Sequence, residues 1–108
     1  MDPITLAEFK KMDLRIALVK KVEAHPNADK LYCLTIDVGG AQKTIVAGIR
    51  NHYRPEELEG RKIVVINNLQ PTIIRGVESQ GMLLASKDDV TLAILVPEKD
   101  VATGSAIS

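Results

Sequence analysis

The sequence predicts a mainly β fold, a five-stranded barrel with short helices. Two observations support this prediction. Apolar and polar side chains alternate along several short segments, which is the period of half-buried strands. Turn-forming residues separate these segments at close intervals, which favours a small barrel over a parallel α/β sheet. A chain of 108 residues supports one hydrophobic core, so residues 1–108 are expected to form a single domain.

A short helix is predicted at the start of the chain. Thr5 and Glu8 have the spacing of a capping box, in which each side chain satisfies a backbone N–H at the helix start. Ile4 and Phe9 occupy the positions of the accompanying hydrophobic staple. The helix must be short, because a strand pattern begins near Asp13.

Three strands follow in the first half of the chain. Alternating apolar residues begin at Leu14, and the segment HPNADK, residues 25–30, supplies turn chemistry. A second alternation begins at Tyr32. The pair Gly39-Gly40 separates it from a third strand that ends in TIVAG. Two glycines between strand patterns predict a tight hairpin, because the favoured hairpin turns need positive φ.

The second half contains another short helix and two or three strands. Pro55 has the position of a first helical residue, and Gly60 that of a stop. The segment 62–69 is a strand candidate with little alternation, which predicts burial on both faces. Two more strand candidates cover residues 82–85 and 90–96. A five-stranded barrel with a helix between its third and fourth strands is the pattern of the OB-fold.

Composition and charge exclude several classes of protein. The single Cys33 excludes an internal disulfide and a cysteine-based zinc site. No apolar run reaches the ~20 residues of a membrane span, and the first residues lack a signal-peptide core, so a cytoplasmic protein is expected. Net charge is zero, yet residues 10–54 hold nine Lys/Arg against four Asp/Glu. Folding could gather these charges into a positive face, or interleave them into an ordinary solvated surface.

No motif of catalysis or cofactor binding is present, and no metal or cofactor is expected. The segment 25–29, HPNAD, lacks metal-ligand spacing and is better explained as a turn. Gly76-x-x-Ser79-x-Gly81 differs from the G-x-S-x-G nucleophile elbow. Cys33 lies in an alternating strand, where a packed cysteine is a better explanation than a nucleophile. The sequence therefore predicts a binding module and not an enzyme.

Aromatic content limits what such a module could bind. The chain has only Phe9, Tyr32 and Tyr53, and no Trp. Barrels that hold long single strands of nucleic acid usually stack bases on aromatic side chains. Recognition of folded RNA depends more on backbone and shape, which a few lysines, small residues that allow close approach, and one or two exposed apolar contacts could serve.

Three stretches carry a resemblance to a known family. They are KMDLRIALVKKVEAHPNADKLYCLTIDVG, VAGIRNHYRPEEL and NLQP....GVESQGMLLAS. In this order they closely resemble the tRNA-binding OB domain, over about Leu6 to Ile107. That family includes the C-terminal domain of many methionyl-tRNA synthetases and free-standing tRNA-binding proteins. The resemblance implies a homodimer formed through terminal extensions, which binds tRNA by shape and leaves the chemistry to a synthetase catalytic domain.

The resemblance also implies roles for individual residues. Ser79 and Met82 match positions tied to tRNA binding, and Lys30 matches a basic residue implicated in RNA contact. Asn68 and Pro71 match the start of the family's loop. Arg75 is the only base before Gly76, since Gln70, Thr72 and Ile73 occupy positions that are commonly basic in relatives. The predicted RNA-binding residues are therefore Lys30, Asn68, Arg75, Ser79 and Met82, and the loop-shaping residues are Pro71, Gly76 and Gly81.

Each role has a structural alternative. Lys30 could be a solvated turn lysine, Ser79 could cap its turn, and Met82 could fill the core. Gly76 and Gly81 could permit tight turns and not a close approach of RNA. Two alternatives also remain for the whole chain: a protein-binding module like an export-related chaperone with the same barrel and dimer, and a structural dimerisation appendage.

Overall fold

Five antiparallel strands form the central sheet of the computed structural model, which describes residues 1–108. They are β1 (Leu14–Ala24), β2 (Tyr32–Asp37), β3 (Gln42–Ala47), β4 (Lys62–Ile66) and β7 (Met82–Leu83). Their order across the sheet is β3-β2-β1-β4-β7. The first strand is long and shared: its first half pairs with β4 and its second half with β2. The pairing shifts register between Val19 and Lys21, where a bulge at Lys20 bends the strand.

Short-range contacts between β3 and the segment before β7 almost close this sheet into a barrel. The Gln80 N–H donates to the Thr44 carbonyl at 2.8 Å, and the Thr44 N–H donates to Gln80 Oε1 at 3.0 Å. The Val46 N–H donates to Ser79 Oγ at 2.9 Å. We call this line of contacts, from Ser79 to Gly81 against β3, the seam. The predicted five-stranded OB-like barrel is confirmed.

The barrel interior is filled by the inward side chains of the alternating strands. Along β2, every second residue is buried, as its sequence alternation predicts. Tyr32 is buried, and its hydroxyl donates to the Tyr53 carbonyl at 2.7 Å. The largest fully buried side chains are Leu34, Ile36, Ile45, Leu58, Ile63, Val19 and Val65.

Both predicted helices are present. Helix α1 (Leu6–Phe9) begins at the capping box, in which the Glu8 N–H donates to Thr5 Oγ1 and the Thr5 N–H donates to Glu8 Oε1. Helix α2 (Pro55–Leu58) has Pro55 in its first turn and buries Leu58 in the core. Each helix has four residues, far short of a membrane-spanning helix.

The tight turn at Gly39-Gly40 is also confirmed. Both glycines have positive φ, 96° and 92°, as the favoured hairpin turns require. The turn joins β2 to β3, which pair in register from Tyr32 and Ala47 to Asp37 and Gln42.

Three strand predictions in the second half were too long. Strand β4 ends at Ile66 and not at Leu69, because the Asn67 N–H turns to the Asp13 carbonyl at 2.7 Å. Its burial alternates, so the expected burial on both faces is wrong: one face is fully buried and the other half-buried. The candidates 82–85 and 90–96 are divided among β7 and a two-stranded hairpin, β8 (Ala85–Lys87) and β9 (Leu92–Ile94).

The last residues lie along the free edge of β1. The Gly104 N–H donates to the Ile16 carbonyl at 2.7 Å, the Ile16 N–H donates to the Ser105 carbonyl at 2.9 Å, and the Ile107 N–H donates to the Leu14 carbonyl at 3.0 Å. A Cβ on Gly104 would come within 2.8 Å of the Gly39 Cα, so this crossing requires glycine. The segment therefore extends the sheet by a further, irregular strand.

Candidate nucleic-acid interface

The loop that follows β4 contains a hairpin that the sequence did not predict. Strands β5 (Thr72–Ile74) and β6 (Val77–Ser79) pair around the turn Arg75-Gly76. Both turn residues have positive φ, 52° for Arg75 and 92° for Gly76. This conformation favours glycine at the second position and is uncommon for arginine at the first. Gly76 therefore shapes the turn, and the hairpin presents Arg75 at an exposed tip.

The turn at residues 25–30 holds this tip from the side. His25 Nε2 lies 2.9 Å from the Ile74 carbonyl oxygen. Asn27 Nδ2 donates to the Arg75 carbonyl at 3.0 Å, and Arg75 Nη2 donates back to the Asn27 carbonyl at 3.1 Å. Two segments about 50 residues apart in the chain are therefore joined through four residues.

Three cationic side chains surround that turn. Lys30 and Arg75 line the same shallow, open cavity of about 390 Å³. Arg50, which lies after β3, also contacts the turn. Its Nη1 donates to the Ala28 carbonyl at 3.4 Å, and its backbone N–H donates to the Lys30 carbonyl at 3.4 Å. Asp29 also lines the cavity, but none of the three cations forms an ion pair. No neighbouring carboxylate neutralises these three side chains, so their positive charge is available to an anionic ligand.

Some of the other basic residues form ion pairs within the fold. Arg15 forms an ion pair with Asp13 at 2.8 Å, and Lys21 forms one with Glu23 at 3.5 Å. Residues 10–54, which are rich in Lys/Arg, thus contribute only part of their positive charge to the surface around residues 27–30. Both ion pairs join residues two positions apart in sequence, which lie on the same face of an extended strand.

Ser79 lies in the seam and not on the surface. Its side chain is almost completely buried, with 3% of the residue exposed. Ser79 Oγ accepts a hydrogen bond from the Val46 N–H at 2.9 Å and donates one to the Gly81 carbonyl at 3.0 Å. This geometry favours the turn-capping alternative. A direct contact between Ser79 and RNA stays a prediction, and it requires the seam to open.

Gly81 is also buried in the seam. A Cβ at this position would lie 3.0 Å from the Ile66 carbonyl oxygen and 3.5 Å from Ile45 Cγ2. The absence of a side chain lets the segment approach β4 closely, so the packing explains this glycine without a nucleic acid. Gly76, by contrast, is exposed and is explained by its backbone conformation.

Asn68 and Met82 lie at the base of the loop. Asn68 Oδ1 accepts from the Asp13 N–H at 2.8 Å, and its Nδ2 donates to the Lys11 carbonyl at 2.7 Å. Met82 pairs with Ile66 across the sheet and is 45% exposed, so it does not fill the core. Pro71 is exposed between this base and β5. These residues have other neighbours than Lys30 and Arg75, so the predicted site residues do not form one cluster.

A polar cluster anchors the same base. Asp13 accepts hydrogen bonds from Asn67 Nδ2 at 2.9 Å and from Arg15 Nε at 2.8 Å. These bonds, with the charges of Arg15 and Lys43 nearby, hold the pKa of the Asp13 carboxyl below its ordinary value. In β2, burial and the neighbouring Glu23 raise the pKa of the Cys33 thiol, which fits a packed cysteine better than a nucleophile.

The fold and this surface define a class of protein: a small OB-like barrel with an exposed cationic turn, which is a surface suited to polyanionic ligands. The family model described as a putative tRNA binding domain matches residues 14–106. Over 107 residues, the chain is 49% identical to the methionine–tRNA ligase of Pyrococcus furiosus; the match covers 99% of this chain and 15% of the ligase. The chain thus spans about a seventh of the length of such relatives.

Solved structures show the same likeness. The MetRS related protein from Pyrococcus horikoshii superposes with a TM-score of 0.93 at 36% identity, and each chain is covered completely. The chaperone CsaA from Bacillus anthracis superposes with a TM-score of 0.88 at 29% identity, over 99% of this chain and 100% of that one. The chain belongs to the tRNA-binding domain family.

Proposed function

We propose that this chain is a non-catalytic tRNA-binding module that recognises the shape of tRNA. It serves as the C-terminal domain or β subunit of a methionyl-tRNA synthetase, or as a free-standing relative, and it raises tRNA affinity without catalysis. A cytoplasmic location is part of the same proposal. The observation that carries it is the set of three unpaired cations, Lys30, Arg50 and Arg75, around one well-anchored turn.

The chemistry of this turn suits the phosphate backbone of a folded RNA. Lys and Arg side chains contact phosphates without reading sequence, so such contacts fit recognition by shape. The two tyrosines offer little free ring surface on which bases could stack. Tyr32 is buried, and the Tyr53 hydroxyl accepts from the Ile94 N–H at 3.0 Å within the fold. The module should therefore prefer tRNA to an unstructured strand of the same length.

Two further predicted residues take supporting roles in the proposal. Asn68 ties the start of the loop to the N-terminal segment, and Pro71 stiffens the approach to β5 by fixing its φ. Both would set the direction in which the hairpin leaves the barrel. Met82, exposed on the outer face, is assigned an apolar contact to a nucleotide as a separate prediction.

Titration with tRNA tests the proposed site. The variant Lys30→Gln/Arg75→Gln should bind a tRNA transcript about tenfold or more weakly, and the slope of log K against log salt should fall by about 1–2. Lys87→Gln is the matched control, because Lys87 is exposed and unpaired on the β8–β9 hairpin. If wild-type protein binds no tRNA at low or moderate salt, the function is wrong. If the double variant binds like wild type, the site is wrong.

We also propose a homodimer that uses the terminal segments. Leu6, Phe9, Met12, Leu14 and Ile107 line an apolar groove of about 330 Å³ between α1 and the last residues. Leu6 is 66% exposed there, and Leu14 continues on the outer face to Ile66 and Met82. A second copy would cover these side chains and place two cationic turns in one particle, which raises the affinity of a net-neutral chain for RNA.

Sedimentation or light scattering tests the dimer. Leu6→Asp should convert the dimer to a monomer without unfolding it, because Leu6 contributes little to the monomer core. Val90→Asp is the control, since Val90 is a fully exposed apolar residue on the β8–β9 turn. A monomeric wild-type protein, or a dimer that persists in Leu6→Asp, would contradict the proposed interface.

A protein-binding function is the second candidate. It rests on the similarity to the chaperone CsaA and on exposed apolar side chains such as Ile73, which is 65% exposed on β5. Competition between tRNA and an unfolded polypeptide discriminates the two. Displacement of bound polypeptide by excess tRNA supports a shared site, whereas tight polypeptide binding without tRNA binding supports the chaperone function. A dimer that binds neither is a structural appendage.

A further inference from the structure

His25 is a buried histidine that the proposed RNA contacts do not use. Only 4% of the residue is exposed. Its Nδ1 accepts a hydrogen bond from the Asn27 N–H at 2.9 Å, so that nitrogen carries no proton. In the neutral ring the proton is therefore on Nε2, which donates to the Ile74 carbonyl at 2.9 Å. One ring thus bonds both to its own turn and to the distant hairpin.

The hydrogen bond from His25 reaches the backbone directly before the hairpin turn. Ile74 directly precedes Arg75, whose positive φ is uncommon for a residue with a side chain. Asn27 holds the next carbonyl, and Arg75 returns a bond to the Asn27 carbonyl. His25 and Asn27 thus hold two consecutive backbone carbonyls of the hairpin. We call this pair of residues the clip.

The hairpin is anchored to β3 at the Ser79 end of β6, but its tip lies at the opposite end. Strands β5 and β6 have three residues each and form a separate two-stranded sheet, and such a hairpin is marginal by itself. On β5, Thr72 and Ile73 are exposed. Without the clip, the tip would sample several positions, and ordering it would lower the affinity for any ligand that needs Arg75 in one place.

We propose that the clip positions Arg75 beside Lys30, so that both cations meet the same stretch of RNA backbone. His25 and Asn27 are positioning residues and do not contact the RNA. This inference rests on the proposed tRNA-binding function. The competing explanation is a buried histidine that only stabilises the fold, and the two explanations differ in whether His25 acts through Arg75.

Two substitutions of His25 separate its two hydrogen bonds. His25→Asn retains an acceptor at the place of Nδ1 but cannot reach Ile74. His25→Gln places its amide nitrogen near the position of Nε2 and can still donate to the Ile74 carbonyl. For a tRNA transcript, His25→Asn should weaken binding about fivefold and lower the salt slope by about 1, while His25→Gln should recover most of the affinity.

A double-mutant cycle that combines His25→Asn with Arg75→Gln tests whether His25 acts on RNA binding through Arg75. If the clip acts through Arg75, His25→Asn should add little loss in the Arg75→Gln background. An equal loss in both backgrounds would overturn the inference. So would a lower melting temperature for His25→Asn with unchanged affinity and salt slope, since that marks a purely structural role.

Asn27→Ala provides a second test that is independent of the buried ring. Asn27 is exposed, so the variant should fold even if His25→Asn does not. It removes the bond to the Arg75 carbonyl and should weaken tRNA binding about threefold, again only when Arg75 is present. Unchanged affinity would overturn the clip. If Arg75→Gln and Lys30→Gln themselves leave affinity unchanged, the proposed RNA site has failed and not the clip alone.

Discussion

The tip of the β5–β6 hairpin and the seam lie within a few residues of each other, yet their environments are opposite. At the tip, Arg75 and Gly76 are exposed and held by side chains of another turn. In the seam, Ser79 and Gly81 are buried and bonded to or packed against the barrel strands. Residues 75–81 thus contain both an exposed surface suited to binding and a buried segment that closes the barrel. A substitution among them must be assigned to the surface or to the buried segment before its effect on RNA binding can be interpreted.

The largest effect is expected in the seam at Gly81. Gly81→Val would place a branched side chain where even a Cβ lies 3.0 Å from the Ile66 carbonyl oxygen. Overpacking of this kind costs about 1–3 kcal/mol or more of the free energy of unfolding, measured by chemical denaturation. At the tip, Gly76→Ala meets open space apart from Asn27 Nδ2 at 3.5 Å and should cost about 1 kcal/mol through backbone strain. Equal losses would erase the distinction between the two regions.

Ser79→Ala should have an intermediate effect. It leaves the buried Val46 N–H without its partner, which costs about 1–3 kcal/mol of the free energy of unfolding. Affinity for tRNA, measured well below the melting temperature, should change by less than twofold if Ser79 serves only the seam. A loss of affinity in a fully folded Ser79→Ala protein would show that the hydroxyl takes part in RNA contact. Met82→Ala, examined separately, should leave stability nearly unchanged because Met82 is exposed.

The smallest effect concerns pH and the base of the loop. The folded state holds the pKa of Asp13 below its ordinary value of 3.8, chiefly through the hydrogen bond from Asn67. The stability that this carboxylate contributes is therefore full above that value and is lost as pH falls through the lower folded pKa. The difference in unfolding free energy between wild type and Asp13→Asn should be below about 1 kcal/mol near neutral pH and shrink as pH falls below 3.8. A difference independent of pH would contradict this assignment.

Local patterns predicted much of the barrel. The capping box at Thr5, the glycine pair of the first hairpin and the start of helix α2 at Pro55 all depend on neighbouring residues, and all three are confirmed. The strand ends in the second half were misjudged because tertiary bonds decide them. The Asn67 N–H, for example, turns to Asp13, which is distant in sequence.

The candidate site was harder to predict for the same reason. The bond from the Val46 N–H to Ser79 Oγ spans 33 residues and that between His25 and Ile74 spans 49, so no local spacing encodes either. The β5–β6 hairpin had a local signal, since Arg-Gly between TII and VES has a glycine at the second turn position. The positive φ of Arg75 is unusual for its residue type, and its support from Asn27 becomes visible only in the folded chain.

The backbone bonds between β1 and residues 104–107 have a consequence for solubility. The first half of β1 pairs with β4 on one side, and its other side would present unpaired N–H and C=O groups to solvent. Such an edge is a template for the strand of another molecule and a route to aggregation. Because the last residues pair with this edge, they block its pairing with another molecule. The close packing of Gly39 against Gly104 holds this terminal segment on the barrel.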